Sequence, residues 1–220
     1  MASQRENLLI FINLKTMSLI ESLIQRGYLK TPSIIEAFQK IKRIDFLPLH
    51  LKSLSDIDEA LPIGEGQTIS QPAVVAFMIE LLEPKKGEKI LDIGSGSGWT
   101  TALLAQIVGE TGKVFGIELI PSLASFGREN IRKYNFIEKG NAKILCQDGS
   151  RGLPEEKPFD KILVSASAED VPQALKEQLK VGGKLVVPIY TSIWLFEKKE
   201  KDFKEKEYPG FVFVPLIGGK

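Results

Sequence analysis

The chain has 220 residues, 43% of them hydrophobic and 26% charged, which is ample for a sizeable core in one domain with at most a small appendage. A net charge of +1 supplies no strong field for nucleic acid or membrane, and a single cysteine, Cys146, excludes an internal disulfide framework and suits a reducing compartment. With His50 as the only histidine, neither a zinc site nor a Cys/His nucleophilic pair is expected, and no apolar run reaches the ~18 residues of a membrane span.

Residues 1–7 lack the basic start and cleavage site of a signal peptide, although 8–14 are apolar, so a cytoplasmic protein is expected. Residues up to about 59 read as helical. Leu8, Phe11, Ile12, Leu19 and Leu23 recur at mixed helical spacings over 6–25. Thr31-Pro32-Ser33 marks a second helix start, with Thr31 able to cap and Pro32 suited to the first helical position; it runs to about Ile41. This region, 1–60, is expected to be a helical cover, and 61–220 the main α/β domain.

Residues 61–72 read Leu-Pro-Ile-Gly-Glu-Gly-Gln-Thr-Ile-Ser-Gln-Pro, whose two glycines and two prolines forbid a long regular element. An ordinary linker and a lid that brings hydroxyls and amides to a ligand both fit. A helix follows over 73–82. Residues 90–93 form an apolar run with the look of a buried parallel strand, and Gly94-Ser95-Gly96-Ser97-Gly98 turns into a helix over 100–108.

Strand and helix then alternate: strands at 113–118, 142–147 and 159–165, helices at 123–134 and 172–179, Val181-Gly182-Gly183 as terminator, and a strand at 184–189. Two further strands, 193–197 and 211–217, are expected as an antiparallel hairpin whose charged tip is 197–207. The pattern predicts an α/β fold with a doubly wound, mainly parallel sheet.

In such a sheet, ligands sit at the carboxyl ends of the strands. Three acids fall there: Asp92, Glu118 and Asp148. The glycine turn departs from the dinucleotide pattern G-x-G-x-x-G, because Trp99 and Thr101 stand where its last glycine would be. Its D-x-G-x-G-x-G form resembles class I S-adenosyl-L-methionine (SAM)-dependent methyltransferases. Glu118 lies 26 residues after Asp92, near the ~20-residue offset at which an acid meets a ribose. Asp148 suits an adenine amino group, and Asp92 the turn and a cationic amino-acid end. A structural turn with helix-capping acids is the competing reading. Trp99, Phe126, Phe136 and Cys146 read as core.

Taken together, Pro62-Ile63-Gly64-x-Gly66-Gln67-Thr68-Ile69-Ser70-x-Pro72 and Leu91-Asp92-Ile93-Gly94-Ser95-Gly96-Ser97-Gly98-Trp99 resemble the protein-L-isoaspartate O-methyltransferase family. Arg5-Glu6-Asn7-Leu8, Ile44-Asp45-Phe46-Leu47-Pro48, Glu118-Leu119-Ile120-Pro121, Asp148-Gly149-Ser150-x-Gly152 and Phe211-Val212-x-Val214-Pro215 extend the likeness over nearly the whole chain. The resemblance implies a cytoplasmic repair enzyme that uses SAM to esterify the α-carboxylate of L-isoaspartyl residues in damaged proteins, after which the ester collapses to a succinimide. It implies a monomer that needs neither nucleic acid, membrane nor metal. It places Ser70 at the active site as the group that orients the substrate carboxylate. Thr68, Ile69 and Gln71 would form the loop over the cofactor, and Asp92, Gly94, Ser95, Gly96, Glu118, Asp148 and Gly149 would hold SAM.

The chain departs from the family's pattern in places. Ala73 stands where a histidine is common, Glu65 sits between the two loop glycines, and Ile189-Tyr190 replaces a Val-Gly start. A carboxylate at position 65 would repel a substrate carboxylate unless it turns outward. These departures keep two alternatives open: the same architecture acting on another acceptor, and a SAM-binding homologue with weakened catalysis.

Overall fold

A computed structural model describes residues 17–213. The predicted helix over 6–25 and strand over 211–217 therefore fall partly outside the described residues, as does the Arg5–Leu8 motif. Helix α1 (Leu19–Gln25) opens with a reciprocal cap in which Ser18 and Glu21 bond each other's side chain and main chain. Helix α2 (Pro32–Lys40) begins at Pro32 as expected, with Thr31 in the N-cap position, but the Thr31 side chain makes no capping hydrogen bond. The Thr31 hydroxyl instead donates to Glu80 Oε2 at 2.7 Å, and the Lys30 and Thr31 amides donate to Glu80 Oε1. Two 3₁₀ turns follow, Arg43–Phe46 and Leu49–Leu54.

Strands β1 (Leu61–Gly64) and β2 (Gln67–Ile69) form a small hairpin. Glu65 and Gly66 sit at φ +54° and +70° in its turn, the two positive values that a tight primed hairpin turn needs. Helix α3 (Pro72–Leu82) leads into β3 (Lys89–Ile93), α4 (Trp99–Val108), β4 (Lys113–Glu118), α5 (Pro121–Arg132) and β5 (Ala142–Cys146). After two short 3₁₀ turns come β6 (Phe159–Val164), α6 (Gln173–Gln178), β7 (Leu179–Ile189), β8 (Ser192–Lys198) and β9 (Phe203–Pro209).

The seven-stranded sheet runs β5-β4-β3-β6-β7-β8-β9, parallel from β5 to β7 and antiparallel at β7/β8 and β8/β9. Alternate side chains enter two cores. Ile90, Val114, Leu163 and Val186 face α1 to α5, whereas Leu91, Phe115, Ile162 and Leu185 face the side covered by α6. Burial on both faces is why Ile90-Leu91 of β3 and Ile162-Leu163-Val164 of β6 are consecutive apolar residues. Leu23, Ile34, Phe38 and Phe46 of the N-terminal segment lie in the same cluster as Leu103 and Leu104 of α4.

Three further expectations are corrected. The second hairpin strand is β9, inside the charged stretch, with its turn at 199–202 and Phe211–Phe213 in no strand. As the edge of the sheet, β9 exposes its charged side chains while its backbone pairs with β8, so its Lys/Glu content says nothing against a strand. Val181-Gly182-Gly183 lies within β7 rather than ending the helix. Cys146 is exposed, because β5 is the opposite edge strand.

Candidate active site

Chain order passes from β3 outward to β4 and β5, then returns to β6 on the other side of β3. That reversal opens a crevice at the carboxyl ends of β3, β4 and β6. The glycine turn fills its floor. The Gly94 and Ser95 amides both donate to the Ile117 carbonyl, at 2.9 and 3.0 Å, and the Ser165 amide donates to the Ile93 carbonyl at 2.8 Å. Gly98 is required by contact as well as by its φ of +85°: a Cβ there would lie 2.9 Å from the Gly127 carbonyl oxygen on α5. Asn130 Nδ2 on α5 donates to the Ser97 carbonyl at 3.0 Å, so the turn is held from β4, β6 and α5.

Asp92 is fully buried beneath the turn. Its Oδ2 accepts from the Thr100 and Thr101 hydroxyls at 2.8 and 2.6 Å, which fixes the first turn of α4. Burial pushes its carboxyl up to about 6; the two hydroxyls oppose that shift and the Glu118 charge adds to it. Asp92 Oδ1 and Ser95 Oγ are buried polar atoms with no hydrogen-bond partner. Two such acceptors at a glycine turn are suited to ammonium donors of a ligand.

Glu118, 7% exposed, accepts from the Gly96 amide at 2.8 Å and the Ile120 amide at 2.9 Å. Each carboxylate oxygen keeps a further lone pair for a hydroxyl donor. Two residues beyond β5, Asp148 caps a 3₁₀ turn, its Oδ1 accepting from the Ser150 amide at 2.8 Å. Gly149 is explained by packing, since a Cβ there would meet Ile93 Cγ2 at 2.6 Å.

The β1–β2 hairpin hangs over this floor. Thr68, Ile69 and Ser70 line a narrow cavity of about 30 Å³ against Gly94, Ser95, Gly96, Ser97, Trp99, Thr100 and Ser165. A second cavity of about 290 Å³ is lined by Ala60, Thr68, Ser70, Gln71, Val74, Ser165, Val212 and Phe213. Thr68, Ser70 and Ser165 line both. Ser70 thus stands in the wall between the glycine turn and an outer chamber. Glu65 is turned away: exposed, it accepts from the Ser122 hydroxyl at 3.0 Å.

Thr68, Ile69, Ser70, Gly94, Ser95 and Gly96 therefore come together as the sequence suggested, Gln71 joins the outer chamber, and Asp92 and Glu118 brace the turn. Asp148 and Gly149 line neither chamber. Sequence reasoning missed Ser165, Arg43 and Asp58. Asp58 Oδ1 accepts from the Ala73 amide at 2.8 Å and so caps α3, with Arg26 Nη1 2.7 Å from its other oxygen. Among the described residues no group of three metal-ligating side chains forms, and no helix is long and apolar enough to cross a membrane.

Residues 14–220 match the model of the family described as "Protein-L-isoaspartate(D-aspartate) O-methyltransferase (PCMT)". The chain is 44% identical over 205 residues to a protein-L-isoaspartate O-methyltransferase of Methanopyrus kandleri, covering 91% of this chain and 90% of that one. It is 41% identical over 208 residues to the same-named protein of Ignicoccus hospitalis, covering 92% and 97%. Its fold is similar to that of a Plasmodium falciparum chain named for the same activity and solved in complex with S-adenosyl-L-homocysteine. That match has a TM-score of 0.81 and 28% identity, covering 90% of this chain and 96% of that one.

Proposed function

This chain belongs to the protein-L-isoaspartate(D-aspartate) O-methyltransferase family, and from that premise we propose how its own residues carry out SAM-dependent esterification of L-isoaspartyl carboxylates in damaged proteins. When bound, SAM supplies an electrophilic methyl group on a sulfonium sulfur. A carboxylate is already a nucleophile at neutral pH, so the protein needs no strong base. Its task is to align two reactants and keep water from them.

Asp92, Ser95 and the turn glycines Gly94 and Gly96 hold the amino-acid end of the cofactor, with Asp92 Oδ1 and Ser95 Oγ accepting from its ammonium group. Glu118 accepts from the ribose hydroxyls, and Asp148 with Gly149 faces the base. Thr68, Ile69 and Gln71 cover the cofactor. Ser70 donates its hydroxyl to the isoaspartyl carboxylate, which enters through the outer chamber lined by Val74, Val212 and Phe213. Of the N-terminal region, residues 17–60 act as a cover over the α/β domain that begins at residue 61. The protein works as a cytoplasmic monomer on peptide and protein substrates, without nucleic acid, membrane or metal.

The observation that carries this reading is the position of Ser70, Thr68 and Ser165 on both chambers. The other-acceptor reading rested on Glu65 and Ala73, and the bond of Glu65 to Ser122 removes the first of these motives. The test is methyl transfer from methyl-labelled SAM to one peptide in isoaspartyl and normal aspartyl forms. Base-labile label on the isoaspartyl form alone is expected, and Ser70→Ala should lower kcat roughly 10- to 100-fold, the range for a hydrogen bond to a charged group. Equal labelling of both forms, or an unchanged Ser70→Ala rate, would overturn it.

A further inference from the structure

Arg43 takes no part in the chemistry above, yet the residue is only 5% exposed. Burial pulls it down to about 10, so it is still a cation at neutral pH. Its fork is spent on backbone. Nη1 donates to the carbonyls of Ser55 at 3.3 Å and Ile57 at 2.9 Å; Nη2 donates to those of Glu59 at 2.7 Å and Ser70 at 3.3 Å. The β1–β2 hairpin begins at Leu61 and ends at Ile69, so Glu59 and Ser70 are its two stems, and one nitrogen staples both. The guanidinium carbon also lies 5.5 Å from the ring centroid of Trp99, the first residue of the helix that follows the glycine turn. One planar group thus ties the base of the lid to the element that forms the cofactor floor.

We infer that Arg43 is a positioning residue for methyl transfer. By clamping the main chain at Ser70 against Trp99, it sets where the Ser70 hydroxyl sits over the glycine turn. This rests on the proposed role of Ser70. A lysine at this position keeps the charge, but its compact ammonium has three donors and no planar face, so it cannot hold four carbonyls from two segments and stack on an indole at once. Displacing a substrate-orienting group by a fraction of an ångström to an ångström costs up to about 100-fold in rate.

The test is a double-mutant cycle on the full-length protein, with an isoaspartyl peptide and saturating SAM. Arg43→Lys is expected to lower kcat about tenfold or more in the wild-type background but less than about twofold in the Ser70→Ala background, because the clamp acts through Ser70. S-adenosyl-L-homocysteine affinity by calorimetry should stay within about threefold of wild type. The same factor in both backgrounds would mean general structural support and would sink the proposal while leaving the Ser70 reading intact. If Ser70→Ala itself has no effect, the reading of Ser70 falls first and the clamp with it. Should Arg43→Lys not fold, Arg43→Gln enters the same cycle; if neither holds its fold at the assay temperature, Arg43 supports the whole molecule and the proposal is wrong.

Discussion

Asp92→Asn should separate stability from cofactor binding at one atom pair. The folded protein holds this carboxyl at about 6, against an ordinary 3.8, chiefly because burial disfavours the charge. A raised acid means that the folded state binds the proton more tightly than the unfolded one. Stability is therefore gained as pH falls through 6 towards 4, and the cost of the buried charge is fully present above about 6. That shift corresponds to roughly 3 kcal/mol at pH 7. Asparagine keeps an oxygen to accept from the Thr100 and Thr101 hydroxyls and removes the charge. Urea unfolding without ligand should show Asp92→Asn more stable than wild type by up to about 3 kcal/mol at pH 7, with the advantage gone near pH 4. Cofactor binding should move the other way. If Asp92 Oδ1 meets the ammonium group, only the ionised form binds well, so wild-type affinity for S-adenosyl-L-homocysteine should fall about tenfold between pH 7 and pH 5. The Asn variant should bind more weakly at pH 7 and show a flat profile. An Asn variant less stable than wild type at pH 7, or one that retains the tenfold pH dependence, would refute this account of Asp92.

Gly98→Ala is expected to cost about 2–4 kcal/mol in urea unfolding, because the backbone is left-handed and the methyl would meet the Gly127 carbonyl oxygen at 2.9 Å. Glu118→Gln should weaken S-adenosyl-L-homocysteine binding about tenfold by calorimetry, since a charged acceptor for the ribose becomes a neutral one. Phe46→Ala removes a fully buried ring that stacks on Tyr134 and should cost about 3–5 kcal/mol, read from the urea midpoint.

The elements that were legible in the sequence are those whose environment dictates residue type. Strands β3, β4 and β6 are buried on both faces and carry consecutive apolar residues around the buried Asp92, Glu118 and Lys161, so their boundaries could be read within a residue or two. The glycine turn was legible because Gly98 touches another backbone, a demand only one residue type meets. Strand β9 was hidden because an edge strand is specified by main-chain pairing with β8, while its exposed side chains can be Lys and Glu. The glycines of β7 misled for a related reason: a Cβ at Gly183 would come within 2.8 Å of the Asp160 and Lys180 carbonyl oxygens, so the residue marks close strand contact rather than a helix end.

The same division runs through the site. Ser70 was singled out because the Gly-Gln-Thr-Ile-Ser loop resembles a family motif, and the structure places it on both chambers. Arg43 and Asp58 were missed because each serves main-chain groups, four carbonyls for one and the Ala73 amide for the other, and any residue presents those groups equally. Residues that touch a ligand are constrained by the ligand's chemistry, which a motif records. Residues that hold a loop in place are constrained only by where the backbone happens to pass, and that becomes visible once the hairpin stems at Glu59 and Ser70 are seen to converge on one guanidinium nitrogen.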